Sequence, residues 1–301
     1  MSIRRAQDER IEGTPDGVNA ITEIVDVPDA PTVGSPSDVG TSRAYNNAAA
    51  SVSVTAGTTG GTPTSYTVTS SPGGLTGSGT SPVTVTGLNS QTSYTFTATG
   101  TNTTGTSPAS AASGSVIVTT VPDAPTSASA TDQGSSRPYN NGQASVSFTA
   151  PASGGKTISS YTVTSTPGSL TGTGSSSPIT VTGLSSATSY TYAVTATNAN
   201  GTGSASSASG SVTATTVPQA PTIGTFTDGG TGTSGSLSFT LNATGGSSVT
   251  GIKYSTDGTN YTLASGTTSP ISITGLSATT YTFYVKAVNA NGDSEIGRAH
   301  V

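Results

Sequence analysis

Few residues in this chain have the types and spacing to do chemistry. Arg43-Ala-Tyr45-Asn46-Asn47 and Arg137-Pro-Tyr139-Asn140-Asn141-Gly142 are near-copies of each other. Arginine offers a planar fork of donors, tyrosine an amphipathic ring, and asparagine a donor beside an acceptor; exposed Tyr and Arg are the types found in binding hot spots. Their chemistry is recognition of a glycan or a protein. Arg43, Tyr45, Asn46, Arg137, Tyr139 and Asn140 are therefore candidate partner-binding residues. A structural reading competes and carries more weight. Asn and Gly tolerate positive φ and mark a turn, in which Tyr covers one end of a core with Arg packed over it. The third region of the same kind reads Thr231-Gly-Thr-Ser-Gly235, so such a site is at most two-fold.

Catalysis finds little support. There is no Cys, and the single His is His300, sixth in the terminal Glu295–Val301. No disulfide, thiolate nucleophile or Cys-ligated metal is available. No carboxylates pair within a motif, no Gly-rich loop opens a helix after a strand, and the many Ser and Thr hydroxyls have no base to activate them. Asp228, Asp257 and Asp293 are isolated carboxylates without the ligand cluster that Ca²⁺ needs. No cofactor and no metal are expected. Lys156 and Lys253 read as solvated. Asn102, Asn200, Asn242 and Asn260 match Asn-x-Ser/Thr, a match that a Thr-rich chain produces by chance. The formal charge of −5 argues against binding nucleic acid through its phosphates. No apolar run approaches the roughly 18 residues of a membrane helix.

The elements that would position these residues emerge from repetition. Val27-Pro-Asp-Ala-Pro-Thr recurs from Val121 and, as Val-Pro-Gln-Ala-Pro-Thr, from Val217, at spacings of 94 and 96 residues. Each interval is long enough to bury one sandwich core. The paired prolines fix φ, remove donors and stiffen the junction. Charged residues are only 8% and hydrophobic ones 31%, which taken alone leans towards disorder. Here the apolar residues alternate with Ser and Thr, as half-buried strands require. Strands are predicted around Val33, at Ser51–Val54, Tyr66–Val68, Val83–Val85, Tyr94–Ala98 and Val116–Val118, with counterparts in the later repeats. Gly-, Pro- and Asn-rich turns separate them, and nothing in the repeats reads as helix.

Each repeat also carries a corner. Leu88…Thr92-x-Tyr94 is copied as Leu184…Thr188-x-Tyr190, followed by Asn102-x-x-Gly105 and Asn198-x-x-Gly201. With the opening Pro-Asp-Ala-Pro, these residues resemble the fibronectin type III family of immunoglobulin-like sandwiches. That resemblance implies an all-β fold of tandem antiparallel β-sandwiches over about residues 28–294. It also implies a tyrosine corner in which Tyr94 and Tyr190 bond back to the main chain above Leu88 and Leu184. The third copy, Leu276 and Tyr281, is one residue shorter. The family's usual Trp is absent, and Val54, Phe148 and Phe239 stand in its neighbourhood. The resemblance implies fold more than function, because such modules serve as spacers, binders and adhesins.

The expected organisation is a charged N-terminal segment over 1–27, with domains over 28–121, 122–217 and 218–294. Asp8, Glu9, Glu12, Asp16, Glu23 and Asp26 crowd into the first segment with Arg4, Arg5 and Arg10. It reads as a short helix or irregular stretch, a flexible terminus or an attachment segment for virion structural proteins. The third domain is expected to stop before its last strand and so to expose an edge. Glu295-Ile-Gly-Arg-Ala-His-Val301 resembles the translation of a sequencing-adapter oligonucleotide, which would make the chain a truncated fragment with an artefactual tail. Low-charge tandem modules of this kind resemble those of bacteriophage virion proteins. That resemblance, with no signal peptide visible after Met1, gives the expectation of a non-enzymatic tail or capsid-decoration component in the virion. Its repeats would bind a cell-surface glycan or protein weakly and many times over. The rivals are a bacterial surface or secreted adhesin and the spacer of a polysaccharide-degrading enzyme.

Overall fold

The computed structural model describes residues 26–230, 232–277 and 279–300, with Arg298–His300 described by backbone alone. The N-terminal segment expected to serve attachment lies, up to residue 25, outside the described residues. Every regular element among those described is a β-strand, and every pairing between them is antiparallel. Three separate hydrophobic cores mark three sandwiches.

The middle domain shows the architecture. Thr126–Asp132, Gly142–Thr149 and Ile179–Leu184 form one sheet. Thr171–Gly174, Ile158–Thr166 and Ser189–Asn198 form the other, with Gly201–Thr202 and Val212–Thr213 on its far edge. Strict alternation points Tyr190, Tyr192, Val194 and Ala196 inward from Ser189–Asn198. Threonines stand on the other face and pair across strands, as Thr162 does with Thr195. β-Branched side chains suit that pleated, half-wet surface. Phe148 and Phe239 are buried at 8% and 5% exposure, where domain 1 has the smaller Val54 at 5%. Phe148 gains a ring partner in Tyr161, at 4.8 Å between centroids. Short edge strands at Thr76–Gly79, Thr171–Gly174 and Thr262–Leu263 have no sequence signal, because the first two alternate Gly with Thr or Ser and the third is two residues long.

The far edge of the long strand is closed in an unexpected way. In domain 1 the segment after the Asn102 turn is not a regular ladder. Ser107, Ser110 and Ser113 donate their N–H groups to the carbonyls of Gly100, Ala98 and Phe96, each at 2.8 Å. Their hydroxyls accept the N–H groups of the same three residues at 2.9 Å and donate to the next carbonyl along, of Pro108, Ala111 and Gly114. One serine in three thus satisfies both main-chain groups of one strand residue in two. Ser206 and Ser209 do the same for Val194 and Tyr192 in domain 2. Domain 3 begins alike, with Ser294 on Ala287.

Domain 3 then departs from expectation. Its edge is not left open. Gly297–His300 pairs with Thr282–Val285 in a regular ladder. Gly297 and His300 stand where the three-residue step would need serines. Without hydroxyls, the edge is closed by main chain against main chain, which any extended segment can supply.

The Tyr192 hydroxyl, in a side chain 1% exposed, has no hydrogen-bond partner among the described residues, at the position held by Phe96 and Phe283. Burial first, then the Tyr190 and Asp132 charges, push it up to about 12 from the ordinary 10.0. A folded-state value above the unfolded one leaves stability intact below pH 10 and erodes it as pH rises from 10 to 12. Tyr192→Phe removes an unsatisfied polar atom. It should raise domain 2 stability by about 1 kcal/mol and reduce the alkaline loss, as read from urea unfolding at pH 7 and at intervals through that alkaline window.

Candidate binding turns at the domain junctions

The candidate residues sit on a pair of tight turns. Asn47 N–H donates to the Ala44 carbonyl at 2.9 Å and Asn141 N–H to the Pro138 carbonyl at 2.9 Å. Asn46 and Asn140 occupy the third positions with φ of 57° and 58°, the type II pattern that asparagine tolerates. Arg43 does not reach for a ligand. Its Nε donates to the Asn47 carbonyl at 2.8 Å and a terminal nitrogen to Asn47 Oδ1 at 3.3 Å. Arg137 repeats both bonds on Asn141 at 3.0 and 3.3 Å. Tyr45 and Tyr139 are half-buried.

The corner residues lie next door and form one assembly with the turns. Tyr94, Tyr190 and Tyr281 hydroxyls accept the N–H groups of Asn89, Ser185 and Ser277 at 3.1, 3.0 and 2.8 Å, so the shorter third corner still closes. Leu88 and Leu184 are fully buried beneath, whereas Leu276 is half-buried. Asn46 N–H donates to Ser90 Oγ at 3.0 Å while Ser90 N–H donates to Asn46 Oδ1 at 3.2 Å. Asn140 and Ser186 exchange the same pair at 2.9 and 3.0 Å. The two triplets are not brought together; each belongs to its own sandwich.

What the turns do meet is the next domain. Val121 N–H donates to the Arg43 carbonyl at 3.0 Å, and Ser42 N–H to the Asn200 carbonyl at 2.8 Å. From domain 2, Asn198 Nδ2 donates to Thr120 O at 2.9 Å and Ser153 O at 2.7 Å. Asn200 Nδ2 donates to Thr119 Oγ1 at 2.7 Å and Thr120 O at 3.1 Å. From domain 1, Asp38 accepts the N–H of Thr119 at 3.0 Å and its hydroxyl. The second junction repeats this frame with Arg137, Ser136, Asn289, Asn291, Thr216 and Asp132. Two glycines let the chains approach. A Cβ on Gly40 would lie 2.5 Å from Thr119 Oγ1 and 2.7 Å from Asn200 Nδ2. One on Gly154, whose φ is +69°, would lie 2.4 Å from the Val121 carbonyl.

The remaining candidates are occupied locally. Asp257 accepts from Thr259 N, Asn260 N and Asn260 Nδ2, and these bonds, with the Asn260 backbone first, hold its carboxyl well below the usual range. Lys253, read as solvated, instead pairs with Asp293 at 2.9 Å. Among the described residues no group of three His, Cys, Asp or Glu stands close enough to hold a metal. Asn102 and Asn200 are buried at 8% and 9% exposure with their amides engaged, which gives those two Asn-x-Thr matches a structural use.

Comparison with known proteins agrees on the fold. Residues 123–212 match the family model of the Fibronectin type III domain. Those residues are the middle sandwich. No curated protein matches the chain. Among solved structures it is similar to the chicken CNTN1 FN1–FN3 domains, at 18% identity over 91% of this chain and 99% of that one, with a TM-score of 0.33.

The sequence singled out the turns but not the amides that grip the linker beside them. A signal was present. Asn198-Ala-Asn200-Gly and Asn289-Ala-Asn291-Gly carry a second Asn, while domain 1 has Asn102-Thr-Thr104-Gly. Asn200→Ala deletes two bonds to the joint and should weaken it by about 1–2 kcal/mol. The expected result is a broader range of inter-domain angles in small-angle scattering, with urea unfolding of the sandwich cores unchanged; unaltered scattering would count against a clamping role.

Proposed function

We propose that this chain is a non-enzymatic structural and adhesive protein of a phage virion, in the tail or as a capsid decoration. Its sandwiches present weak binding faces to a cell-surface glycan or protein. The observation that carries the reading is the repetition of one joint. Both junctions use the same hydrogen bonds from equivalent residues. The first two sandwiches therefore offer the same turn, with Tyr45 or Tyr139 half-buried at the tip, at equivalent places one repeat apart along the chain.

Regular spacing is what multivalency uses. Where each contact is weak, tethering a second one can raise apparent affinity by about 10²–10⁴ without any new contact. The N-terminal 1–27 segment supplies attachment to virion structural proteins in this reading. The match of residues 123–212 to the Fibronectin type III domain supports the modular, non-catalytic part of it.

Two measurements test the proposal. Antibody against the sandwiches should label purified particles; labelling of the producing cell's surface with none on particles overturns the virion assignment. Tyr45→Ala and Tyr139→Ala, singly, should weaken cell binding modestly. The double variant should lose on the order of a hundredfold while melting as the parent does. Undiminished binding by the double variant removes these turns from the binding face.

A further inference from the structure

The outer face of the sheet that holds the long strand carries little but hydroxyls in domains 1 and 2. One row across three paired strands reads Ser78, Thr67 and Thr99 in domain 1. In domain 2 it reads Thr173, Thr162 and Thr195. At the far edge Thr101 meets Thr106, and Thr197 meets Thr202, hydroxyl to hydroxyl at 2.9 and 2.8 Å. Domain 3 keeps the sheet and the register and replaces the residues. The same row reads Leu263, Lys253 and Lys286. Two places before Lys286, Tyr284 stands where domain 1 has Thr97 and domain 2 has Ala193. Val288 and Asp293 pair where the edge threonines did.

Two of the chain's three lysines thus face each other directly. Like charges on opposed strand residues are destabilising, and threonine fills both places in the other sandwiches, so the fold does not require them. Only one is neutralised. Lys253 Nζ donates to both Asp293 oxygens at 2.9 Å. Lys286 has no carboxylate partner among the described residues. Its ammonium lies 4.7 Å from the centre of the Tyr261 ring, and a cation held by a ring keeps donors for an anion. Tyr284 is packed from the side by the hairpin turn, where a Cβ on Gly258, with φ of +77°, would lie 3.2 Å from Tyr284 Cζ. Asp257 fixes that turn through Thr259 and Asn260. Tyr261, Tyr284, Lys253 and Lys286 are all half-buried. Tyr284 and Lys286, alternate residues on one face, stand about 7 Å apart along the strand, a separation that one sugar unit spans.

We propose that this face of domain 3 binds a saccharide carrying carboxylates, a uronate chain. The carboxylate accepts from Lys286 Nζ in a charge-assisted bond, and the C–H face of the sugar lies along Tyr284. The Lys253–Asp293 pair meets hydroxyls, the ammonium as donor and the carboxylate as acceptor. One unneutralised ammonium, a compact point charge, matches one negative charge per sugar. The choice of a sugar over a peptide rests on the adhesive reading above. The site is a different one, on the sheet of domain 3 and not on the turns of domains 1 and 2.

The test titrates the full 301-residue chain calorimetrically with an oligogalacturonate, its methyl ester, dextran sulfate and an oligoglutamate peptide. The acid should bind, and the uncharged ester should bind about tenfold more weakly or less. Lys286→Thr and Tyr284→Ala install the residues of domain 2. Each should weaken binding by on the order of tenfold with the circular dichroism unchanged, while Lys156→Thr in domain 2 changes nothing. No binding of the acid, equal binding of the ester, or binding that Lys286→Thr leaves intact overturns the proposal. So does dextran sulfate or the peptide binding as tightly as the acid, which marks a general polyanion surface or a protein partner. Cell binding is read beside it. Cells bound equally by the parent and by Lys286→Thr remove this site and leave the adhesive function standing. A parent that binds the uronate and no cell does the reverse.

Discussion

A main-chain group buried in a sandwich must find a partner, and in this chain the partner is very often a hydroxyl. The long strand of domains 1 and 2 carries the corner tyrosine and most of the inward-facing apolar row, yet its outer edge has little regular neighbour. Serine side chains take that role, as Ser110 does for both polar groups of Ala98. Remove them and the strand that centres the core would have an unsatisfied flank, each orphaned group costing about 1–3 kcal/mol. Polar Ser and Thr in such numbers are the hydrogen-bonding half of the fold, complementary to its small apolar half.

The same economy of chemistry governs the joints. One carbonyl, Thr120 O, receives two carboxamides from the following domain, while the hydroxyl of Thr120 meets Ser90 of the preceding one at 2.7 Å. The corner, the Arg-Tyr-Asn-Asn turn and the linker are therefore parts of a single unit. Arg43 gives its guanidinium to the turn and its carbonyl to the linker. A residue type chosen as a binding candidate is thus spent largely on geometry, and Tyr45 and Tyr139 are half-exposed members of the two triplets.

Much of the fold is legible in the residues because a strand has a period of two and the chain obeys it. Tyr190, Tyr192, Val194 and Ala196 announce a face, and Leu184 with Tyr190 announces a corner. The serine-stitched edge was not legible in the same way. Its period is three, and Ser-Pro-Ala-Ser-Ala-Ala-Ser reads as loop unless the neighbouring strand is already in place. The joint was half legible: paired prolines mark where it lies, but Asn198 and Asn200 read as an ordinary turn, since their partners are some 80 residues away. The tail of domain 3 shows the converse. Glu295–Val301 carries no strand pattern, yet Gly297–His300 pairs because an edge asks only for extended backbone.

The doubly held carbonyl has a mechanical consequence. Tension applied along the chain enters each sandwich through its linker, and the amide grips on Thr120 and Thr216 stand in the path of that load. Such neutral hydrogen bonds are short in range, so a joint yields over a small extension and re-forms when slack returns. The sandwiches, whose strands are bonded along their length, give way later. A string of these modules would then behave as stiff beads on hinges that lock at rest and release under drag, lengthening before any core is exposed.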